Sequence, residues 1–136
     1  MPRKVGIFAA VTTMLVLTAS LVFAGNAHFV GTPSITTSGN TVTVSGKVAG
    51  LGNIPQIHVE FTADASCVNP GSHHPKAANK QSVGGGGDFP VQNGKADFSL
   101  SGTAIFQPDC TPPMTLVWSN IQITVTADDG TFITYP

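Results

Sequence analysis

The sequence predicts an all-β fold, an immunoglobulin-like antiparallel β-sandwich of about seven strands held by one disulfide. Three observations predict it. Apolar residues alternate with polar ones in four separate stretches, the pattern of strands with one buried and one wet face. No stretch after residue 28 carries the ~3.6-residue apolar period of an amphipathic helix. Turn-forming residues punctuate the chain at the spacing of short strands.

Taken in order, Phe29 to Thr37 opens the domain and is broken by Pro33, which has no N–H to give a ladder and suits an edge. Thr41 to Val48 sets Val42, Val44 and Val48 on one face. Gln56 to Ala63 does the same with Ile57, Val59 and Phe61. Gln81 to Val83 and Asp88 to Val91 read as short strands on either side of Gly84 to Gly87, a run expected to be a flexible or bulged connection. Asn93-Gly94 is a two-residue hairpin signal. It leads into residues 95–106, where Ala96, Phe98 and Leu100 point inward. Residues 114–127 bury Ile121, Ile123 and Val125. Inward parity switches between Trp118 and Ile121, which predicts a bulge at Ser119-Asn120. Asp129-Gly130 then turns the chain into the last strand, 131–135.

The N-terminus reads as an address. Arg3 and Lys4 precede Val5 to Ala24, twenty residues without a charge. That length would also span a membrane. The charges come first, the most apolar part is short, and Val22-Phe23-Ala24 offers small residues where a signal peptidase reads. Residues 1–24 are therefore expected to be a secretory signal peptide, cleaved after Ala24, with Ala27 as the second choice. Residues 28–136 are expected to form a single domain that is secreted, extracellular or periplasmic. An uncleaved N-terminal membrane anchor is the alternative.

Both cysteines, Cys67 and Cys110, lie downstream of that leader, and in an oxidising compartment two such thiols pair. A buried free thiol and an interchain bond are the other readings. If neighbouring strands alternate in direction, the connections after the third and fifth strands leave the sandwich at the same end. Cys67 falls in the first of these and Cys110 in the second, so the bridge is geometrically allowed.

Composition excludes several partners. Residues 28–136 hold four lysines and no arginine against seven acidic residues, a net charge of −3. Nucleic acid and anionic membrane surfaces require a basic face, so neither is expected as a partner, and the mature domain is not expected to be membrane-embedded. His73-His74, with Cys67 nearby and His28 and His58 elsewhere, invites a copper or zinc site. Adjacent histidines in an extended loop point to opposite sides, however, and oxidised cysteines supply no thiolate. The leading reading is solvated histidines, no metal and no cofactor. Asp128-Asp129-Gly130 lacks the longer oxygen-ligand pattern of a calcium loop. Gly84 to Gly87 lacks the lysine and helix start of a phosphate loop. There is no GxSxG elbow, and Glu60, Asp64, Asp97 and Asp109 have no spacing that marks a hydrolytic pair. No catalytic residue is assigned and no enzymatic activity is expected. Trp118 and Tyr135 would make a sugar-stacking platform if exposed; Trp118 is expected in the core, with Phe89, Phe106 and Phe132 in the core or at its rim.

The string Cys67-Val-Asn-Pro-Gly71, then a loop with proline and asparagine, a strand pair and Pro108-Asp-Cys110, resembles a group of small secreted bacterial proteins over roughly residues 28–130. The loop here reads Ser-His-His-Pro-Lys where glycine and further prolines are expected. The resemblance implies export, the disulfide and the sandwich, and assigns no activity. The function expected is a binding or cell-envelope structural module whose partner is a protein or an envelope polymer. Its binding loops would be at the disulfide end, residues 64–80 and 107–113, with Asn69, His73, His74 and Asp109 as candidates. The alternative is a copper- or zinc-binding extracytoplasmic protein using His73 and His74.

Overall fold

The computed structural model describes residues 26–71 and 79–136. Among the described residues eight strands follow one another: β1 His28–Phe29, β2 Ser34–Ser38, β3 Thr41–Ala49, β4 Gln56–Val68, β5 Lys80–Pro90, β6 Ala96–Thr103, β7 Thr115–Thr126 and β8 Phe132–Tyr135. Every pairing is antiparallel. One sheet places β3 between β6 and an edge formed by β1 and β2; the other runs β5-β4-β7-β8. Strand β5 stays beside β4 rather than crossing to β6, one of the ways an immunoglobulin-like sandwich divides its strands. Among the described residues no helix is long and apolar enough to cross a membrane. The leader and its cleavage point at Ala24 lie outside the described residues.

The alternation in the sequence is the alternation in space. Val42, Val44 and Val48 meet Ile57, Val59, Phe61, Ala96, Phe98, Ile123 and Val125 in one buried cluster, with Leu51 from the β3–β4 connection. Leu100 and Ile121 are half-buried and pack against it. The expected first strand is split as Pro33 required: β1 and β2 are two pieces of one edge, and Phe29↔Val48 is followed by Ile35↔Val44. Six steps on the edge thus oppose four on β3.

Three expectations needed correction. The glycine run is no connection: Gly84 to Gly87 sit inside β5 in unbroken register with β4, from Gln56↔Pro90 to Ser66↔Lys80. The reason is packing. A Cβ on Gly85 would stand 3.0 Å from the Phe61 ring and 3.2 Å from the Ser101 carbonyl oxygen, and one on Gly102 only 2.6 Å from Val83 Cγ1. Bare backbone lets β5 and β6 approach and close that side of the sandwich. Gln81 completes the seam, since its amide accepts from the Ile105 N–H at 2.6 Å and donates to the Ile105 carbonyl at 3.1 Å. Second, Cys67 is not in a loop. Strand β4 runs on to Val68, and Cys67 points inward near its end. Third, Ala104 and Phe106 are buried beyond the end of β6, in the connection to β7. Trp118 packs with the core as expected, against both clusters, and no aromatic platform forms with the half-buried Tyr135, which sits edge-on to Phe29 at 6.0 Å.

The predicted turns hold. Asn93 and Gly94 take φ of 55° and 76°, as a type I′ hairpin demands, and Gln92 and Lys95 exchange N–H···O bonds of 2.8 and 3.0 Å. In the β7–β8 turn Asp129 accepts from both the N–H and the hydroxyl of Thr131, which holds its carboxyl below the usual range.

Candidate functional site

The disulfide joins Cys67 to Cys110 with 5.8 Å between Cα atoms. It ties the β6–β7 connection to the inner face of β4, over a second cluster of Ala65, Cys67, Val83, Ala104 and Phe106. Both cysteines are at one pole, as the parity of the strands allowed. Asn69 and Asp109 are exposed and flank the bridge, two residues after Cys67 and one before Cys110. His73 and His74, and with them the copper or zinc alternative, lie outside the described residues. Among the described residues no group of three or more His, Cys, Asp or Glu side chains is arranged to hold a metal ion.

Among the described residues no polar or charged residue is fully buried, so recognition chemistry must be sought on the surface. Two concavities contrast. At the pole away from the disulfide, about 600 Å³ is lined by Gly50, Gly52, Asn53, Ile54, Pro55, Val91, Asn93, Gly94 and Lys95. Its walls are turns rich in glycine, and of its two asparagines, Asn53 and Asn93, the second serves the hairpin.

The second, about 340 Å³, is built on the sheet beside the disulfide pole and is lined by Asp64, Ser66, Lys80, Gln81, Ser82, Ser119 and Asn120. It arises from register. Ser82, Asp64 and Ser119 are direct cross-strand partners on β5, β4 and β7, and Lys80, Ser66 and Val117 form the next row. All stand on the outer face, because their neighbours Ala63, Ala65, Cys67 and Val83 are buried. The predicted bulge supplies the remaining member. Thr62 pairs with Gln122 but Asp64 pairs with Ser119, so Asn120 and Ile121 together oppose Ala63. Asn120 takes φ 51°, a conformation that few non-glycine residues adopt, and turns its amide onto the outer face. There its Nδ2 donates to Asp64 Oδ2 at 2.9 Å, while Ser82 donates to Asp64 Oδ1 at 3.4 Å. One carboxylate thus links three strands.

Farther along the same face, His58 lies between Asp88 and Glu60, with Nδ1···Oδ1 of 2.7 Å and Nε2···Oε2 of 2.9 Å. The hydrogen bond to Asp88, then that to Glu60, raises the imidazole pKa above its ordinary value. Glu60 and Asp64 thus share the outer face of β4, two cross-strand rows apart, while Asp97 is on the other sheet, 3.7 Å from Lys47, and Asp109 is in the β6–β7 connection.

Asp64, Ser66 and Lys80 belong to the segment expected to bind, whereas Ser82, Ser119 and Asn120 were not candidates. The parity switch marked the bulge at Ser119-Asn120, but no local signal ties it to Asp64, 56 residues away. Comparison of the chain with family models, with curated proteins and with solved structures gave no match.

Proposed function

We propose that this chain is an exported binding module whose contact surface is the outer face of β5, β4 and β7 next to the disulfide, and whose partner belongs to the cell envelope. One observation carries the reading: polar side chains from three strands converge on a concavity over a rigid sheet, drawn together by Asp64. Sites on sheet elements hold their geometry better than sites on loops. The disulfide supports an oxidising compartment.

The N-terminal contacts bear on the expected cleavage. Gly50, at φ 75°, has no room for a Cβ because the Asn26 carbonyl oxygen would lie against it, and Ala27 packs against the core. Cleavage after Ala24 keeps these contacts and cleavage after Ala27 removes them. Intact-mass spectrometry of the exported protein is expected to give a chain starting at Gly25.

Co-sedimentation with isolated envelope material tests the module itself. The protein is expected to pellet with cell walls, and an Asp64→Ala/Asn120→Ala double variant is expected to stay largely in solution. Equal pelleting of both, or of neither, would rule out this surface.

A further inference from the structure

Resting on that surface, we propose the class of ligand it takes: a neutral, polyhydroxylated one, a stretch of uncharged polysaccharide lying across Ser82, Asp64 and Ser119. The lining decides the charge of the ligand. Asp64 and Lys80 bring one negative and one positive group to the same concavity. An anion would meet the carboxylate and a cation the ammonium, so neither charge is favoured over a neutral ligand. A metal ion would need more oxygen ligands than one carboxylate beside hydroxyls provides.

The hydrogen-bonding capacity decides the functional groups. Ser66 and Ser119 each offer a hydroxyl able to donate and to accept, and Ser82, whose proton goes to Asp64, is left as an acceptor. Each Asp64 oxygen takes one bond from the protein and keeps a lone pair, and Asn120 keeps its amide oxygen and one N–H. Gln81 is spent on Ile105 and lends only its shape. A mixed array of donors and acceptors matches vicinal hydroxyls, which are themselves both. Beside it Val117, in the row of Lys80 and Ser66, is 45% exposed. It gives an apolar spot for the C–H face of a sugar ring.

The sheet also sets the length of the contact. Next to the Ser82 row comes Gly84 opposite Thr62 and Gln122, where β5 has no side chain to block a flat ligand. One row further the lane closes: a Cβ on Gly86 would stand 3.1 Å from Glu60 Cγ and 3.5 Å from His58 Nε2, because the His58 bridge covers that glycine. The open track therefore spans two cross-strand rows beyond Lys80, which suits a short run of sugar units.

The test is an amide-resolved NMR titration of the full-length chain, purified with its disulfide intact, against cellohexaose, chitohexaose and maltohexaose. Polygalacturonate and an uncharged extended peptide serve as competing classes. At least one neutral oligosaccharide is expected to shift the amides of Asp64, Ser66, Ser82, Ser119 and Asn120, and to leave those of Asn53 and Gly94 at the other pole unmoved. Binding is expected to be insensitive to salt. Ser119→Ala, whose side chain makes no contact that the fold requires, is expected to weaken it severalfold, and Asp64→Ala at least tenfold. Shifts at the far pole, or equal binding by both variants, would overturn the proposal. Response to polygalacturonate or the peptide alone would overturn the ligand class while leaving the surface in place. No response to any probe, combined with envelope binding that still needs Asp64, would likewise discard the neutral glycan and keep the module. Loss of both would discard both.

Discussion

Asn120 shows how one residue sets local shape. The bulge asks for a left-handed backbone, which costs an ordinary L-residue ~1–2 kcal/mol and asparagine less. The bond to Asp64 offsets part of that cost, a neutral-to-charged bond at an exposed site being worth about 1 kcal/mol. Asn120→Ala is therefore expected to destabilise by about 1–2 kcal/mol and Asn120→Gly by less than half as much, read from urea unfolding midpoints. His58 makes a separate, pH-dependent contribution. Its folded-state pKa is raised, so the stabilisation is complete below the ordinary histidine value and fades as pH rises through the raised one. The ring and both carboxylates are largely exposed, so solvent screens the effect and it stays small. The difference in melting temperature between wild type and His58→Gln is expected to shrink from about pH 5.5 to about pH 8.5. A gap that widened toward alkaline pH would contradict this geometry.

At the scale of the element, β5 is the instructive strand. Gly84 to Gly87 has low strand propensity, since glycine loses the most backbone freedom on ordering. It is nevertheless a strand because tertiary contacts need its bareness at some positions. Those positions can be told apart. A Cβ on Gly85 would crowd the Phe61 ring at 3.0 Å and the Ser101 carbonyl oxygen at 3.2 Å, so both must give way, whereas a Cβ on Gly87 would meet Leu100 and Phe89 at an ordinary 3.5 Å. Gly85→Ala is expected to cost ~1–3 kcal/mol by overpacking. Gly87→Ala is expected to be neutral or to stabilise by up to about 1 kcal/mol, through the lower entropy of its unfolded chain. Urea denaturation of the two variants side by side would separate a packing role from a general need for flexibility, which predicts equal loss.

Across the whole molecule the core outweighs the staple. Among the described residues nine large side chains are almost wholly buried, Phe61, Leu51, Ile57 and Ile123 included, and burying each contributes ~1.5–3 kcal/mol before chain entropy is counted. The disulfide spans a sequence separation of 43, and closing such a loop restricts the unfolded chain by about 4 kcal/mol. That is a large part of the ~5–15 kcal/mol net stability of a domain this size, although small beside the gross burial. A Cys67→Ala/Cys110→Ala variant is accordingly expected to keep the sheets and lose ~2–4 kcal/mol in urea titration. Loosening should concentrate in the β6–β7 connection, where hydrogen exchange would rise first.

Much of this was legible in advance because alternation is a property of neighbours along the chain. A residue and the second residue after it share a face of a strand wherever the strand goes. The valines of β3, the isoleucines of β7, both hairpins, the break at Pro33 and the bulge before Ile121 could be read from short windows for that reason. The disulfide followed from two cysteines behind an export signal, and counting strand reversals only showed that it was allowed. What no window contains is which strand stands beside which, and at what register. Only the folded sheets decide that four glycines make a strand, that Cys67 lies within one, and that Asp64, Ser82 and Asn120, far apart in sequence, meet on one face. Those facts depend on contacts across ladders and between layers, where the partner's bulk and not the local pattern determines what fits.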